Sequence, residues 1–307
     1  YATMSRADTV QGLVEERTAE LEKRTRLALF DAEISNTLVS GDTLQGTLQQ
    51  CAQIIVRHMD AAFARIWTLE TSTNTLVLQA SAGMYTHLNG PHGRVPVGKF
   101  KIGLIAQERR PHLTNNIIGD PRVSDQEWAK REGMTAFAGY PLIVDNKLVG
   151  VVAMFARHPL ETYALDSLAS ISKDLALDIE RKRMEEILRE SEAYNRSVIE
   201  TAGDAFISMD QNDRISDWNR QAELMFGWPR GEAMGRTVAE TIIPIDLRDK
   251  YNKGLAHFLA SGEDPSINKR IEIVALHKDG HEVPVELTVT PIRRGNAQHF
   301  NAFVRNI

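Results

Sequence analysis

The sequence predicts an α+β protein of two domains, each a mainly antiparallel sheet with flanking helices, joined by long helices of coiled-coil character. The length of 307 residues is enough for about two domains of ordinary size. Two groups of β-branched and aromatic runs, at 61–156 and 205–307, are bounded by turn residues, as strands are. Two highly charged stretches, 9–40 and 161–200, contain no proline and a single glycine, Gly12, which favours long helices.

The bulk composition excludes several classes of protein. Apolar residues make up 42% and charged residues 25% of the chain, and the net charge of −5 gives no electrostatic footprint for nucleic acid or for an anionic membrane surface. No apolar run approaches the roughly 18 residues of a membrane-spanning helix. The single cysteine, Cys51, excludes an internal disulfide and a cysteine metal cluster. We expect a cytoplasmic protein and, because the chain begins at Tyr1, a fragment of a longer one.

The first region, 1–40, is predicted to be a signalling helix. Six residues repeat with alternating steps of four and three, the spacing of a heptad seam: Val14, Thr18, Leu21, Thr25, Ala28 and Ala32. The seam is narrow and partly polar, so it would pair weakly alone. It favours a parallel dimer helix, with an ordinary amphipathic first helix of the next domain as the alternative.

The second region, 41–170, is predicted to be a mixed α+β domain. The tripeptide Ser-Gly-Asp at 40–42 ends the first helix, and a second helix begins at Thr43. Cys51 falls on the apolar face of that helix, where we expect it to behave as a small core residue rather than a reactive thiol. Strand runs follow, and the dipeptide Asp-Asn at 145–146 predicts a tight hairpin turn between two of them.

The third region, 171–197, is predicted to be a connecting helix that continues from about residue 161. One face is traced by residues in steps of four and three, interrupted by successive steps of four after Leu175, a stutter pattern that locally unwinds a coiled coil: Leu168, Ser172, Leu175, Ile179, Arg183, Ile187, Ser191, Tyr194 and Val198. A continuous helix of about 30 residues spans ~45 Å and moves as a rigid rod. The sequence therefore predicts that this helix passes a conformational state from one domain to the next.

The fourth region, 198–307, is predicted to be a second α+β domain. A hairpin, short helices over 219–262 and three closing strands follow one another. In the second closing strand, Val283, Val285, Leu287 and Val289 alternate with polar residues, which predicts a half-buried antiparallel strand.

Two stretches carry a resemblance to known families. Residues 41–180, with "AGYPLIVDNKLVGVVAMFA" and "PVGKFKIGLIAQERRPHLTNN", resemble a GAF domain. Residues 186–307, with "DAFISMDQNDRISDWNRQAELMFGW" and "HKDGHEVPVELTV", resemble a PAS domain. The helices around "VEERTAELEKR" and "DIERKRMEE" are similar to the signalling helices of bacterial sensor histidine kinases. The resemblance implies sensory domains, and both families host many ligands and sometimes none.

The long irregular segment 83–101 provides the candidate ligand site. Together with two aromatic residues further along, it can line an amphipathic pocket: Tyr85, His87, His92, Arg94, Phe100, Trp128 and Tyr140. Arg94 can pair with an acidic group of a small molecule. The alternative is a lid that packs on its own sheet with His87 and His92 facing solvent. No metal site is expected at these two histidines, because no acidic or cysteine partner lies nearby in sequence.

Three cofactors are argued against by the residues present, and the cofactor stays unknown. Bilin-binding relatives attach the chromophore through a pocket cysteine, whereas Cys51 lies on an early helix. A light-sensing flavin adduct needs a cysteine in the second domain, and none follows Cys51. In haem-containing relatives a helix histidine ligates the iron, and the resemblance places Tyr251 there and His257 two turns later. We expect a colourless protein.

No signature of an enzyme is found in the sequence. A phosphoacceptor histidine helix, a glycine-rich ATP lid and a cyclase motif are all missing. We therefore expect the sensory and dimerisation fragment of a bacterial signal-transduction protein, a sensor histidine kinase, whose catalytic domain lies elsewhere. The alternatives are a ligand-free dimerisation scaffold and the regulatory region of a cyclase or phosphodiesterase. The expected parallel homodimer pairs through Leu21, Ala28, Leu175, Ile179, Ile187, Tyr194 and Val198.

Overall fold

The computed structural model describes residues 6–123, 125–263, 267–295 and 297–307. The chain divides into two compact units, Tyr1–Ile187 and Leu188–Ile307. Each unit has one antiparallel sheet with helices beside it, so the predicted α+β class is confirmed. None of the described helices combines the length and the apolar character that crossing a membrane requires.

The described residues of the first unit form a six-stranded sheet and four helices that lie wholly within this unit. The helices are α1 (Arg6–Ser40), α2 (Leu44–Met59), α3 (Phe100–Glu108) and α4 (Gln126–Arg131). The strands are β1 (Phe63–Glu70), β2 (Thr75–Gly83), β3 (Arg94–Pro96), β4 (His112–Thr114), β5 (Ala136–Val144) and β6 (Lys147–Ala156). A long helix, α5 (Thr162–Glu200), begins in this unit and ends in the second.

The first sheet has the strand order β3-β2-β1-β6-β5-β4, and the pairs are all antiparallel. Asp145 and Asn146 join β5 to β6 with φ of 46° and 63°. Two successive left-handed residues form the two-residue turn that matches strand twist, so the predicted tight turn is confirmed.

One face of this sheet packs against α1, α2 and α5. Thr43 caps α2 by accepting a hydrogen bond from the Gly46 N–H at 3.2 Å, which sets the start of the helix at the predicted residue. Cys51 is fully buried in this core, as predicted. Burial, with a contribution from the charge of Asp178, raises the pKa of its thiol to about 12.

The opposite face of the sheet packs against α3, α4 and the loops between them. Strand β1 is buried on both sides, and its side chains alternate between them. Ala64 and Ile66 belong to the core under α1, α2 and α5, whereas Phe63 and Trp67 belong to the core on the other side. Arg65 lies between Phe63 and Trp67 on that second side, and this position makes it part of the site described below.

The second unit is a five-stranded antiparallel sheet with the order β8-β7-β11-β10-β9. The strands are β7 (Ala205–Asp210), β8 (Ile215–Trp218), β9 (Arg270–Leu276), β10 (Glu282–Arg294) and β11 (Ala297–Asn306). The helices are α6 (Arg220–Phe226), α7 (Arg230–Ala233), α8 (Val238–Thr241) and α9 (Arg248–Ser261), with a 3-10 turn at Ile245–Leu247. The predicted inward face of β10 is buried at Val283 and Val285 and half-buried at Leu287 and Val289.

A buried asparagine joins the end of α5 to the second sheet. Asn219 is fully buried and caps α6. Its Oδ1 accepts hydrogen bonds from the N–H groups of Phe206 and Ala222 at 2.8 and 2.9 Å. Its Nδ2 donates to the carbonyls of Ile199 and Asp204 at 2.9 and 3.1 Å. One side chain therefore holds the last turn of α5, the start of β7 and the start of α6 together.

The residues of the predicted dimer seam divide into two groups. Leu175 and Ile179 are fully buried in the core of the first unit, because this part of α5 packs on the sheet. They are therefore engaged within their own chain. The remaining members are exposed: Leu21, Ala28, Ile187, Tyr194 and Val198.

Candidate ligand-binding cavities

A cavity of about 220 Å³ lies in the first unit, on the sheet face opposite α1, α2 and α5. Strands β1 and β6 form its floor, and the segment after β2, the start of α3 and the region around α4 form its walls. The residues that line it are Phe63, Arg65, Trp67, Tyr85, His87, His92, Phe100, Lys101, Ile102, Arg122, Val123, Asp125, Trp128 and Phe155.

Aromatic rings build one wall of this cavity. Phe63 and Phe155, on neighbouring strands, stack with centroids 4.8 Å apart, and Trp128 meets Phe155 edge-on at 5.4 Å. The indole N–H of Trp128 donates to the Tyr85 hydroxyl at 3.0 Å, which fastens α4 to the segment after β2. Such contacts fix the rings before any ligand arrives, so this wall is preformed.

A buried guanidinium lies beside that wall. Arg65 is only 8% exposed, and its Nε donates to the Ser81 hydroxyl at 3.1 Å. The guanidinium carbon lies 5.4 Å from the Phe63 ring centre and 5.7 Å from that of Tyr85. Among the described residues no carboxylate lies within ion-pair distance of Arg65, and burial lowers the pKa of its guanidinium. A buried charge without a counter-charge is costly, and an anion in the cavity would offset that cost.

A second buried cation of the same cavity is already neutralised. The Lys101 ammonium donates to Asp120 Oδ2 at 2.7 Å and lies 4.3 Å from the centre of the Phe137 ring. Burial opposes ionisation of Asp120, but the hydrogen bonds from Lys101, the Arg122 N–H and His112 together lower its pKa to about 2. Lys101 is therefore neutralised within the cavity, and Arg122 pairs with Glu108 at 3.4 Å, whereas Arg65 keeps a buried charge without a carboxylate partner among the described residues.

The cavity brings together five of the seven predicted ligand-site residues: Tyr85, His87, His92, Phe100 and Trp128. It does not include Arg94, which is exposed and pairs with Glu70, or Tyr140, which packs on the opposite face of the sheet. Tyr140 follows the alternation of β5, so its side chain points away from the cavity. The predicted acid-binding arginine, Arg94, is therefore not at the cavity, whereas Arg65 is buried in the cavity lining.

The segment between β2 and β3 covers part of the cavity with its own atoms. The Trp67 indole N–H donates to the His92 carbonyl at 2.9 Å, and the Ser81 hydroxyl donates to the Tyr85 carbonyl at 2.7 Å. His87 and His92 are exposed at the rim, as the alternative interpretation of this segment expected. The segment therefore packs on the sheet and leaves a cavity beneath it.

Phe100 stands at the rim in a strained conformation. Its φ of 55° places a bulky residue in the left-handed region at the first position of α3, and its side chain is 47% exposed. Such a conformation costs on the order of 1–3 kcal/mol and persists only where the surroundings enforce it. The backbone at the entrance of the cavity is therefore held in a conformation of higher energy than the usual ones.

A larger cavity, of about 640 Å³, lies in the second unit between the sheet and α9. Its walls are mainly aliphatic and aromatic, with Ile207, Phe226, Ile242, Ile271, Leu287 and Phe300 among them. Of the described residues that line it, only Lys250 and Tyr251 carry an ammonium or hydroxyl group. The cavity is therefore suited to an apolar molecule.

The hydroxyl of Tyr251 is committed to partners inside the second unit. It donates to Asp213 Oδ1 at 2.5 Å and lies 3.1 Å from the Met209 sulfur. Burial, together with the charge and hydrogen bond of Asp213, raises the pKa of Tyr251 above its usual range. A tyrosinate ligand for haem would need the opposite shift, and no histidine is among the described lining residues. The residues of this cavity do not fit haem.

Sequence reasoning missed Arg65 and the larger cavity. Arg65 had a signal, since it is a charged residue inside the otherwise apolar run 61–67. The larger cavity had none, because its apolar lining has the composition of an ordinary core.

Comparisons with known proteins match both halves of the chain. A family described as "GAF domain" matches residues 41–180, and one described as "PAS fold" matches residues 193–307. An uncharacterised protein of Azorhizobium caulinodans is 34% identical over 57% of this chain and 24% of its own length. The sensor protein FixL of Bradyrhizobium diazoefficiens is 29% identical over 43% of this chain and 26% of its own length. The chain spans about a quarter of the length of these curated relatives.

Solved structures of both families show similarity to the chain. The GAF domain of a phosphoenolpyruvate-protein phosphotransferase from Coxiella burnetii is 17% identical, with a TM-score of 0.49 over 53% of this chain and 98% of its own. The PAS domain of an HTR-like protein from Haloarcula marismortui is 23% identical, with a TM-score of 0.35 over 41% of this chain and 99% of its own. On the two family matches, the chain belongs to the GAF and PAS families of sensory domains, with the GAF domain first and the PAS domain second.

Proposed function

We propose that this chain is the sensory region of a longer sensor histidine kinase, in which the GAF domain binds a small organic anion and α5 passes the bound state to the PAS domain. The buried guanidinium of Arg65 in the GAF cavity carries the proposal. The FixL relative supports the bacterial sensor context.

The chemistry of the cavity defines the ligand class. A carboxylate placed against Arg65 would gain paired charge-assisted hydrogen bonds in a site that excludes water. The rings of Phe63, Tyr85 and Trp128 favour an apolar or planar body behind that carboxylate. A volume of about 220 Å³ holds roughly seven groups of the size of a water molecule. The preferred ligand is therefore a small monocarboxylate with an apolar or aromatic body.

Binding can be tested with a panel of small acids on the intact chain. Benzoate, phenylacetate, butyrate and the neutral analogue benzamide would be followed by thermal unfolding of the GAF domain and by calorimetry. We expect a carboxylate, but not benzamide, to raise the unfolding temperature, with about 2.7 kcal/mol of stabilisation at 100 times the dissociation constant. Arg65→Met should abolish this response and, since it removes an unpaired buried charge, should not destabilise the domain.

Arg94→Met is the matched control. Arg94 is exposed and pairs with Glu70 outside the cavity, so its loss should leave carboxylate binding unchanged. Equal responses of the Arg65 and Arg94 variants, or a panel in which benzamide binds as well as benzoate, would contradict an anion site at Arg65. If none of these compounds changed the unfolding temperature of the chain, the result would favour the ligand-free dimerisation scaffold.

The relay is supported by the way α5 is held in each domain. Its first half contributes Leu175 and Ile179 to the GAF core, and its last turn is gripped in the PAS domain by Asn219 through the Ile199 carbonyl. Between these points the helix continues without interruption. A rotation or shift of the helix imposed at the GAF core would therefore reach the PAS sheet through Asn219.

The proposed partner of this helix is a second copy of the chain in a parallel dimer. Beyond the GAF core, α5 carries exposed apolar side chains at helical spacing: Met184, Ile187, Leu188, Tyr194 and Val198, each more than half exposed. The helix α1 adds Leu21 and Ala28. A stripe of this kind is what a coiled-coil seam presents before it pairs. The residues Leu175 and Ile179 are left out of this seam because the GAF core uses them.

Dimerisation can be measured by light scattering over a range of protein concentrations. The double variant Ile187→Glu/Tyr194→Glu should shift the chain to monomer, because it places like charges at facing seam positions. Glu185→Ala changes a neighbouring surface position that pairs with Arg181 and should leave the dimer intact. A monomeric wild-type chain at high concentration would refute the dimer.

The relay itself calls for deletions within 184–195 of the full-length protein. Removing one residue rotates everything downstream by about 100°, whereas removing seven restores the helix face and shortens the helix by about 10 Å. Kinase output across deletions of one to seven residues should therefore rise and fall with heptad phase. Output that stays flat across the series would show that this helix is only a tether.

A further inference from the structure

The turn between β9 and β10 of the PAS domain gathers three potential metal ligands. His277, Asp279 and His281 lie at alternating positions of this short hairpin, and their ligand atoms all fall within 4.8 Å of one another. Among the described residues, no other group of three or more histidine, cysteine, aspartate or glutamate side chains has its ligand atoms this close together. It lies outside both cavities and has no part in the function proposed above.

Backbone hydrogen bonds of the hairpin fix the main-chain positions of His277 and His281. The His277 N–H donates to the His281 carbonyl at 2.9 Å, and the Gly280 N–H donates to the His277 carbonyl at 2.9 Å. Gly280 has a φ of 96°, which lets the chain reverse within this turn. The imidazole rings of His277 and His281 stack with centroids 4.3 Å apart and planes at 21°. The ligand set is therefore positioned by the turn rather than by long flexible segments.

The packing of His277 decides which ring atom faces the site. Its Cε1–Nε2 edge lies against Gly227, where an added Cβ would come within 2.4 Å of both atoms. That edge is covered, so Nδ1 is the atom turned toward the carboxylate, at 2.8 Å from Asp279 Oδ1. His281 Nδ1 lies 2.6 Å from the same oxygen. Both imidazoles thus present Nδ1 to one carboxylate oxygen.

The local hydrogen bonds favour a cation at this point. The Asp279 N–H points at His277 Nδ1 at 3.3 Å, so this nitrogen is placed as an acceptor although a carboxylate oxygen lies close to it. The His281 N–H donates to Asp279 Oδ1 at 3.2 Å, which holds this oxygen beside the two rings. A positive centre between the three atoms would satisfy all of their lone pairs at once, whereas two imidazolium rings would place like charges in a stack.

We propose that His277, Asp279 and His281 form a binding site for a divalent transition-metal ion, Zn²⁺ above all. Two imidazole nitrogens and one carboxylate oxygen are ligands that Zn²⁺ accepts, with the fourth position left to water. Ligand atoms of a tetrahedral zinc site lie roughly 3.3 Å apart, as follows from bonds of about 2.0–2.1 Å. The side chains of Asp279 and His281 are 63% and 60% exposed, which leaves them room to make the small rotations needed.

The nearby lysine does not oppose the ion. Lys278 lies between two of the ligands in sequence, but its ammonium pairs with Glu232 at 2.6 Å and lies over the Trp228 ring at 5.0 Å. The backbone N–H of Lys278 donates to the Phe226 carbonyl at 2.9 Å, which ties the hairpin to the end of α6. A bound ion would therefore stiffen both the hairpin and its contact with α6. The PAS domain would then respond to the metal ion independently of any ligand in the GAF domain.

The site can be tested on the intact chain without a polyhistidine tag. Zn²⁺ alone would be titrated against a chromophoric chelator at pH 7.5, and the imidazole ¹⁵N resonances would be recorded with and without the ion. We expect one Zn²⁺ per chain, with shifts of Nδ1 in His277 and His281. His281→Gln and Asp279→Asn should each weaken binding at least about tenfold, and acidification should release the ion, because the ligands must be deprotonated.

His257→Gln is the matched control, since His257 is an exposed histidine of the same domain outside the turn. It should bind Zn²⁺ as the wild type does. Binding that is retained in the double variant Asp279→Asn/His281→Gln, that is lost equally in His257→Gln, or that involves Nε2 rather than Nδ1 would overturn the assignment. The absence of saturable binding at one ion per chain would do so as well.

Discussion

Replacing Asn219 by alanine tests how firmly the PAS domain grips the end of α5. The Asn219 side chain is fully buried and takes part in four hydrogen bonds, two as acceptor and two as donor. Alanine would remove all four and leave their backbone partners without a replacement. At about 1 kcal/mol for each neutral hydrogen bond, Asn219→Ala should destabilise the PAS domain by about 4 kcal/mol. One of these bonds is the α6 cap, and caps alone contribute about 1 kcal/mol.

A loss of this size is large for a unit of about 120 residues. At roughly 4 °C for each kcal/mol, the unfolding temperature of the PAS domain should fall by about 15 °C. The GAF domain should keep its own unfolding temperature, because the four bonds lie within 199–222. Urea unfolding followed by hydrogen exchange of peptides from each domain would separate the two transitions. The amides of Phe206 and Ala222 should lose their protection first, since they donate directly to Asn219.

Two variants sharpen the test. Asn219→Asp keeps the oxygen that accepts from Phe206 and Ala222 but loses both donated bonds, so it should be clearly less stable than the wild type. Asn212→Ala alters an exposed turn residue of the same domain and should change stability by less than about 0.5 kcal/mol. If Asn219→Ala lowered the stability of the PAS domain by less than about 1 kcal/mol, Asn219 would not be what joins α5 to the PAS core. An equal fall in the unfolding temperature of the GAF domain would show that its effect is not confined to the PAS domain.

Three further outcomes are expected. The purified chain should show no Soret band, since the Tyr251 hydroxyl is bound to Asp213; a band that disappears in Tyr251→Phe would contradict this. Cys51 should not react with a thiol reagent at pH 8 unless urea is added, because it is fully buried and its pKa is about 12; rapid labelling of the native chain would contradict the burial. The folded pKa of Asp120 is about 2, below its ordinary value of 3.8, so its contribution to stability is present above about pH 4 and is lost as pH falls towards 2. In Asp120→Asn, the free energy of unfolding should fall less steeply between about pH 4 and pH 2 than in the wild type. An unchanged pH dependence in this range would contradict the ion pair with Lys101.

Much of the fold followed from local patterns. The turn at 145–146 and the cap at Thr43 depend on residue types whose backbone preferences act over a few positions, and both are found where the sequence placed them. The burial of Cys51 followed from helix periodicity, because the side chains on one face of a helix share one environment. The order of the helices and of the longer strands followed in the same way, since turn residues separate them along the chain. The three-residue strands β3 and β4 were not predicted.

The lining of the GAF cavity was predictable only in part. Tyr85 in the irregular segment and Trp128 in α4 lie far apart in sequence, yet both line the GAF cavity, where the Trp128 indole N–H donates to the Tyr85 hydroxyl. Arg94 was assigned to the same cavity as part of the segment 83–101, and Tyr140 as one of two aromatic residues further along the chain. They lie elsewhere because strand alternation turns their side chains away, and the face that a strand residue occupies depends on how the sheet is covered.

By itself, the sequence determined two α+β domains of the GAF and PAS types, the long helices and a single core cysteine, because residue preferences and periodicity act locally. Only the tertiary structure decided that Leu175 and Ile179 serve the GAF core while Ile187 and Tyr194 stay exposed further along the same helix. It also decided that Arg65 lies buried without a counter-charge and that the PAS core encloses about 640 Å³. These features depend on which distant surfaces meet and how closely they pack, and apolar residues that line a cavity are the same residues that fill a core.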